Sequence, residues 1–452
     1  MPVGALALGV VVFNNIGNLA TFVGCTGLSW SSPVFEEILD PKQTPFDRDL
    51  TLEEISWIPA LLPLGATFGT LISAYLAEKI GRKWTLLVCA VPICVSYAVL
   101  AFTSYVFGYY IARFVIGLSV GAIFTVIPMY VGEIAEDSNR GALGASINCF
   151  ITAGILFSYA VGPYIPVDLF NLVLAVLPAI FFILFLILGP ESPHYYISKG
   201  KSSSARSALE KLRGKGAEKL ESELSGMEAQ IRGEGHGTFL DIFRSKGCMK
   251  AYAMVMGLLV FQQFSGINAI LFYAQTIFNQ AGSTLEPAIC SIILGLVMFL
   301  TSFITPFVVE LLGRKILLVI SASGMLIAEI ILGVYLSRRG IDISSTPFLP
   351  LACLLVYIVA FNTGFGPLPW AIMGELFPSN VKSAAASSAT AVCWFLAFII
   401  TKYFEIVAHA IGIGPCFLIF AGFCLLAIPF SIFFLLETKG KSLQEIQNAL
   451  NS

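Results

Sequence analysis

Apolar residues run through this chain in long blocks separated by short polar breaks. Twelve blocks reach the length of about 20 residues that a helix needs to cross a bilayer: residues 4–29, 55–77, 84–105, 107–131, 143–166 and 169–189, then 251–281, 286–309, 315–336, 348–374, 383–408 and 412–436. Between the two sets lies the one long polar stretch, Pro190 to Lys250. Within it Ala205, Ala208, Leu209 and Leu212 share one helical face, and Gly233 to Gly237 interrupts the pattern. An apolar face favours a small helical domain over a disordered linker. The pattern predicts an all-α polytopic membrane protein. Residues 1–189 form one six-helix bundle, 190–250 a helical linker, 251–436 a second six-helix bundle and 437–452 a tail.

Composition agrees: 57% of residues are hydrophobic and 12% charged, against roughly 25% charged in soluble domains. The net charge of -2 offers no footprint for nucleic acid. The cysteines lie almost all in apolar blocks, as Cys89, Cys94, Cys353, Cys393 and Cys424 do. Without a C-x-x-C or a Cys/His cluster they read as packing residues, with no metal or other cofactor expected. His194, His236 and His409 are scattered, and no nucleophile–base pair suggests an enzyme, so no catalytic residue is assigned. The first apolar block is too long and lacks the basic start of a cleavable signal peptide.

Charge does change one thing, the orientation. If the N-terminus is cytoplasmic, twenty Lys and Arg residues fall on the cytoplasmic side, eleven of them between Lys199 and Lys250. Five fall outside: Lys42, Arg48, Arg338, Arg339 and Lys402. The positive-inside rule then places both termini in the cytoplasm. Arg113 lies inside the fourth span.

The two halves also repeat. Glu78-x-x-Gly81-Arg82-Lys83 recurs as Glu310-x-x-Gly313-Arg314-Lys315. Gly132-Glu133 with Arg140 recurs as Gly374-Glu375 with Lys382, and Glu191 recurs as Glu437. Six helices per repeat keep both copies in the same orientation. One stretch inside the seventh span stands out, Phe261 to Tyr273, where Gln262, Gln263 and Asn268 interrupt an apolar run with Gly266 between them. Amides in a span are costly unless they face protein, water or a ligand. They suit a neutral ligand covered in hydroxyls, and they equally suit hydrogen bonds between helices.

Together these motifs resemble those of the sugar porters of the major facilitator superfamily, which include the facilitative glucose transporters. The resemblance rests on Gly81-Arg82-Lys83, Pro128-Met-Tyr-Val-Gly-Glu133, Arg140-Gly-Ala-Leu-Gly144, Pro190-Glu-Ser-Pro193, Gln262-Gln-Phe-Ser-Gly-Ile-Asn268, Gly366-Pro-Leu-Pro-Trp370 and Glu437-Thr-Lys-Gly440. Leu62-Pro-Leu-Gly65, Ala281-Gly-Ser-Thr284 and Gly364-Phe-Gly-Pro-Leu-Pro-Trp370 look like the insect facilitated trehalose transporter branch. The resemblance implies the major facilitator fold, a plasma-membrane location and facilitative transport of a sugar, trehalose or a hexose such as glucose. It implies no obligate protein partner beyond the lipid bilayer.

By that resemblance Gln262, Gln263 and Asn268 contact sugar hydroxyls, and Trp370 and Trp394 supply apolar faces to the ring, although either Trp could instead anchor at the interface. Asn148 and Thr152 in the fifth span and Asn362 in the tenth complete the candidate site, with Asn148 equally able to serve as bundle glue. The family's Glu, and three of its Asn positions, are replaced here by Asn362, Met298, Cys393 and Ala397, which allows a roomier pocket for a disaccharide. Arg82, Glu133, Arg140, Glu191, Arg314, Glu375, Lys382 and Glu437 resemble the family's cytoplasmic gate, which holds the inner side shut. Proton-coupled members carry an acid in the first span. Here residues 1–35 contain none, and Thr26 stands at the matching position, which implies passive transport. A proton–sugar symporter and a non-transporting sugar sensor are the competing readings.

Overall fold

A computed structural model describes residues 6–136, 139–213, 217–233, 239–283, 285–337, 347–441 and 443–451. Among these there is no strand, and twelve helical spans are long and apolar enough to cross a membrane. The interruption expected at Gly233–Gly237, and Thr284, Arg338 and Arg339, fall wholly or partly outside the described residues.

The first half contains α1 (Leu6–Ser29) continuing through Trp30 into α2 (Ser31–Ile38), then α3 (Leu52–Ile80), α4 (Arg82–Phe102), α5 (Val106–Ile134), α6 (Arg140–Val161) and α7 (Val167–Leu188). The linker forms α8 (Pro193–Ser198), α9 (Ser202–Arg213), α10 (Ala217–Gly233) and α11 (Phe239–Ile242). The second half contains α12 (Lys246–Phe264), α13 (Ile267–Ala281), α14 (Pro287–Leu312), α15 (Arg314–Ser337), α16 (Leu349–Thr363), α17 (Leu368–Leu376), α18 (Ser379–Ile411) and α19 (Ile413–Phe433), followed by α20 (Leu443–Asn451). The seventh span is thus two helices, α12 and α13, and the tenth is α16 and α17.

Local sequence explains several boundaries. Thr51 and Glu54 form a reciprocal capping box that starts α3. Gly65 and Gly69 of α3 face Gly117 and Gly121 of α5 so closely that a Cβ on any of them would strike a backbone oxygen of the other helix. This small-residue packing, with spacing of four on both helices, replaces the hydrophobic drive that lipid cannot supply. In the linker, Ala205, Ala208, Leu209 and Leu212 are buried; Ala205 and Leu209 pack with Leu220 and Leu224 of α10, and Leu212 joins the main core. Arg213 pins this unit to the first half, donating to Ile134 O at 2.8 Å. On the second half, Gln447 of α20 donates to Leu376 O at 2.6 Å. We call this side of the bundle the linker end.

At the opposite, far end the two halves meet. Ser31 Oγ donates to Phe272 O (2.9 Å), Gln275 N to Ser32 Oγ (3.1 Å) and Tyr159 OH to Leu271 O (2.7 Å). Phe35 also packs on Tyr273. At the linker end the start of α6 borders open space: Arg140 is exposed, and a Cβ at Gly141 or Gly144 would meet nothing within 4 Å. The two halves therefore meet at the far end, while the start of α6 is exposed at the linker end.

Candidate functional site

The seventh span breaks where Gly266 takes a left-handed conformation (φ 81°), which only glycine adopts without strain. The freed backbone groups find side-chain partners. Ser265 Oγ donates to Gln262 O at 2.7 Å, and Tyr357 OH of α16 donates to Ser265 O at 2.8 Å. Gln262 reaches the second break: its Nε2 donates to Phe365 O (2.6 Å) and Gly366 O (2.9 Å) between α16 and α17. Gln263 Nε2 lies 3.0 Å from Cys393 Sγ, and Asn268 Nδ2 donates to Gln263 Oε1. Gln262, Gln263 and Asn268 thus form one buried amide cluster between two helix breaks, and Cys393 closes it. One residue on, Trp394 sets its ring edge-on against Phe124 of α5, centroids 5.2 Å apart, across the two halves. Irregular backbone and amides at mid-span are tolerated where they line a cavity or are buried in protein, and here the amides are buried and bonded within the protein.

The other candidates sit differently. Trp370 on α17 is half-buried against the core. Asn148 of α6 is half-buried, while Thr152 is bonded back to Asn148 O and Cys149 O of its own helix. Asn362 donates to Met298 O (3.2 Å) and Thr301 Oγ1 (2.8 Å) of α14. In this state, then, Thr152 and Asn362 donate inside the bundle. A hydroxyl or amide next to a helix finds the nearest carbonyl first.

The repeated charges form two copies of one device. Arg82 Nη2 meets Glu133 Oε1 at 2.7 Å and Arg314 Nη2 meets Glu375 Oε1 at 2.7 Å. The second oxygen of each Glu accepts a hydroxyl, from Ser192 and Thr438 respectively. His194 Nδ1 approaches Glu133 to 3.9 Å. Glu191 accepts from the backbone N–H of Arg82 (2.9 Å) and Lys83 (3.1 Å). Glu437 accepts likewise from Arg314 (3.1 Å) and Lys315 (3.0 Å). Both carboxylates therefore cap helix N-termini, α4 and α15, where backbone N–H groups and the helix dipole favour negative charge. Positive φ at Gly81 (99°) and Gly313 (85°) turns the chain for this approach. Burial pushes the Glu191 carboxyl above its ordinary value. Burial also raises Glu437, but less completely, and its four backbone N–H bonds leave it below.

Both Arg–Glu pairs are intact in this state, with the far end closed. Each pair joins spans of one half, so it does not depend on the halves meeting. Arg140 lies at the open start of α6, and Lys382 lines a cavity of about 370 Å³ with Arg314, Glu375, Thr438 and Lys441.

Arg113 is fully buried. It donates to Gly27 O (2.9 Å) and Ile58 O (3.3 Å), and its guanidinium lies 4.7 Å from the Trp30 ring centroid. Thr26 donates to Val23 O at 2.7 Å. Sequence reasoning missed Ser265 and Tyr357, whose pairing across 92 positions leaves no local signal. It also missed Glu329 of α15, buried with the Cys424 thiol facing it, although a lone acid inside a span was visible.

Known proteins place this architecture. The profile of the family described as "Sugar (and other) transporter" matches residues 27–450. A "Facilitated trehalose transporter Tret1" of Bombyx mori is 40% identical over 410 residues, covering 89% of this chain and 80% of that protein. A relative of the same name from Aedes aegypti is 37% identical over 93% of this chain, which spans about half (52%) of that longer protein. Drosophila sechellia "Tret1-2 homolog" is 37% identical, over 93% of this chain and 87% of that protein. Among solved structures, the Escherichia coli xylose transporter XylE in an inward-open conformation superposes with a TM-score of 0.81 at 22% identity, covering 97% of this chain and 99% of that one. The proton:xylose symporter XylE bound to 6-bromo-6-deoxy-D-glucose gives 0.77 at 22% identity, over 98% and 99%. With its twelve spans in two repeated halves, the chain belongs to the sugar transporter family and has the major facilitator fold.

Proposed function

We propose that this protein carries a sugar, trehalose or a hexose such as glucose, down its gradient by alternating access of the two halves. The observation that carries this reading is the amide cluster of Gln262, Gln263 and Asn268, set between two helix breaks beside the cross-half contact of Trp394. Amides offer donors and acceptors to a hydroxyl rim, and an indole face suits the apolar side of a pyranose. Trp370, Asn148, Thr152 and Asn362 complete the contacts as the halves rearrange. Met298, Cys393 and Ala397 carry no amide, which supports a cargo larger than a single hexose. The names of the insect relatives agree.

The transport is passive. Arg113 is held by two carbonyl oxygens and an aromatic face, with its Nη2 left unbonded, and the support for passive transport is that residues 1–35 offer it no titrating carboxylate in the first span. The basic residues of the linker end support a cytoplasmic position for that end and for both termini, in a protein of the plasma membrane. Arg82, Glu133, Arg140, Glu191, Arg314, Glu375, Lys382 and Glu437 form the cytoplasmic gate, acting by keeping each half rigid as it rocks.

Counterflow in proteoliposomes tests this, with labelled trehalose and labelled glucose at two external pH values. Trehalose should accumulate transiently at a rate that a protonophore leaves unchanged. Sugar-driven alkalinisation of the medium would overturn passive transport, and no counterflow with either sugar would overturn the cargo.

A further inference from the structure

Lys402 is a cation inside the eleventh span, and only 5% of it is exposed. Such a residue is expensive in a membrane and usually marks function. A lysine near a helix end ordinarily extends to the interface. This one points across the seam between the halves. Its Nζ donates to Ser56 Oγ of α3 at 2.6 Å, lies 3.5 Å from Glu53 O and sits 4.3 Å from the Trp57 ring centroid. The charged group nearest to it on α3 is Glu53, whose side chain is exposed.

Lys402 also belongs to a stripe. Trp394, Phe398 and Lys402 are spaced by four on α18 and so share one face. Trp394 packs on Phe124 of α5, Phe398 on Trp57 of α3 (5.9 Å), and Lys402 on Ser56 and Trp57. All three contacts cross from the second half to the first. The helix face that bears the candidate sugar-site indole at its middle therefore bears a charge-assisted hydrogen bond and a cation–π contact at its far end.

We propose that Lys402 is the far-end lock of the transport cycle, holding α18 against α3 while the linker end is open and releasing Ser56 and Trp57 when the far end opens. The proposal rests on the alternating-access reading above. On this proposal, opening the far end separates α18 from α3, and these contacts belong to the far-end-closed state alone. A contact made in one state shifts the equilibrium by its whole differential free energy. Ser56 keeps its own bond to Glu53 O (2.7 Å), so its hydroxyl is not orphaned when Lys402 leaves.

The test uses the full chain in proteoliposomes, with Ser31→Cys as reporter. Ser31 is fully buried in the far-end seam, so a membrane-impermeant maleimide reaches it only when that end opens. In the Ser31→Cys background, Lys402→Met should raise the labelling rate about three- to tenfold, since a factor of 10 corresponds to the loss of 1.4 kcal/mol. Ser56→Ala should raise it in the same direction and add little to Lys402→Met, because both remove one contact. If Lys402→Met does not yield folded carrier, Ser56→Ala alone decides. Sugar-sensitive labelling of the parent with no acceleration in the readable variants, or with slower labelling, overturns the lock and leaves the transport reading standing. Labelling that no sugar alters in any background overturns the transport reading, and the lock with it.

Discussion

Gln262→Ala probes both roles proposed for the amide cluster, a bridge between helix breaks and a sugar contact. Gln262 makes two donations, to Phe365 O and Gly366 O, that tie the break of the seventh span to that of the tenth. Hydrogen bonds between membrane helices contribute about 0.6 kcal/mol on average and up to about 1.7. Removing both, and leaving two carbonyls without this donor, costs about 1–3 kcal/mol of stability. Losing a sugar contact in a dry site costs about 1–3 kcal/mol as well, or roughly 5- to 150-fold in Kd. Gln262→Ala should therefore lower the thermal midpoint in detergent and weaken sugar binding together. Asn268→Ala removes one bond, to Gln263 Oε1, and should weaken binding to a similar degree with a smaller loss in midpoint. Midpoints are compared at one scan rate, because membrane proteins unfold irreversibly, and binding is measured by equilibrium dialysis with labelled trehalose. A Gln262→Ala protein with the parent midpoint would mean that the bridge between the breaks carries no weight. Normal binding in both variants would place the sugar elsewhere and reduce the amides to interhelical glue.

Three further predictions concern the linker end. The Arg82–Glu133 pair is less exposed (8% and 13%) than Arg314–Glu375 (18% and 29%). Glu133→Gln should therefore cost about 2–3 kcal/mol, by leaving a buried cation without its counter-charge, and Glu375→Gln about 1 kcal/mol or less. Equal losses of midpoint would refute the ordering. Because each pair joins spans of one half, neither variant should change the ratio of states, read by labelling of a cysteine near Arg140, by more than several-fold. For Glu437, the folded carboxyl lies below its ordinary value of 4.5, so its cap stabilises the fold at neutral pH. That contribution is lost as the pH falls through the folded value. The midpoint deficit of Glu437→Gln should thus be full at pH 7 and shrink toward zero on acidification. A deficit that grows on acidification would reverse the sign.

Much of this protein is legible in its linear order because a bilayer imposes one rule on every span. Backbone groups must be satisfied within the helix, so length and apolarity alone mark twelve spans, and the repeated Gly-Arg-Lys and Gly-Glu motifs mark two halves. The polar exceptions in apolar runs were equally visible: Gln262, Gln263, Asn268, Arg113 and Lys402 each stand out against their neighbours. What those residues touch was not legible. Gln262 bonds a carbonyl 103 positions away, Tyr357 caps a break 92 positions away and Lys402 meets a serine 346 positions away. Such pairings follow from how the two bundles pack and which end is closed, and no local pattern encodes either. The same holds for the acidic residues. Their recurrence identified the repeat, but only the packed turns at Gly81 and Gly313 decided that Glu191 and Glu437 cap helices while Glu133 and Glu375 pair with arginines inside each half. A short-range pattern sets what each helix is. The choice of partner is made where one helix end, with its unsatisfied N–H groups and dipole, meets whichever carboxylate the fold brings to it.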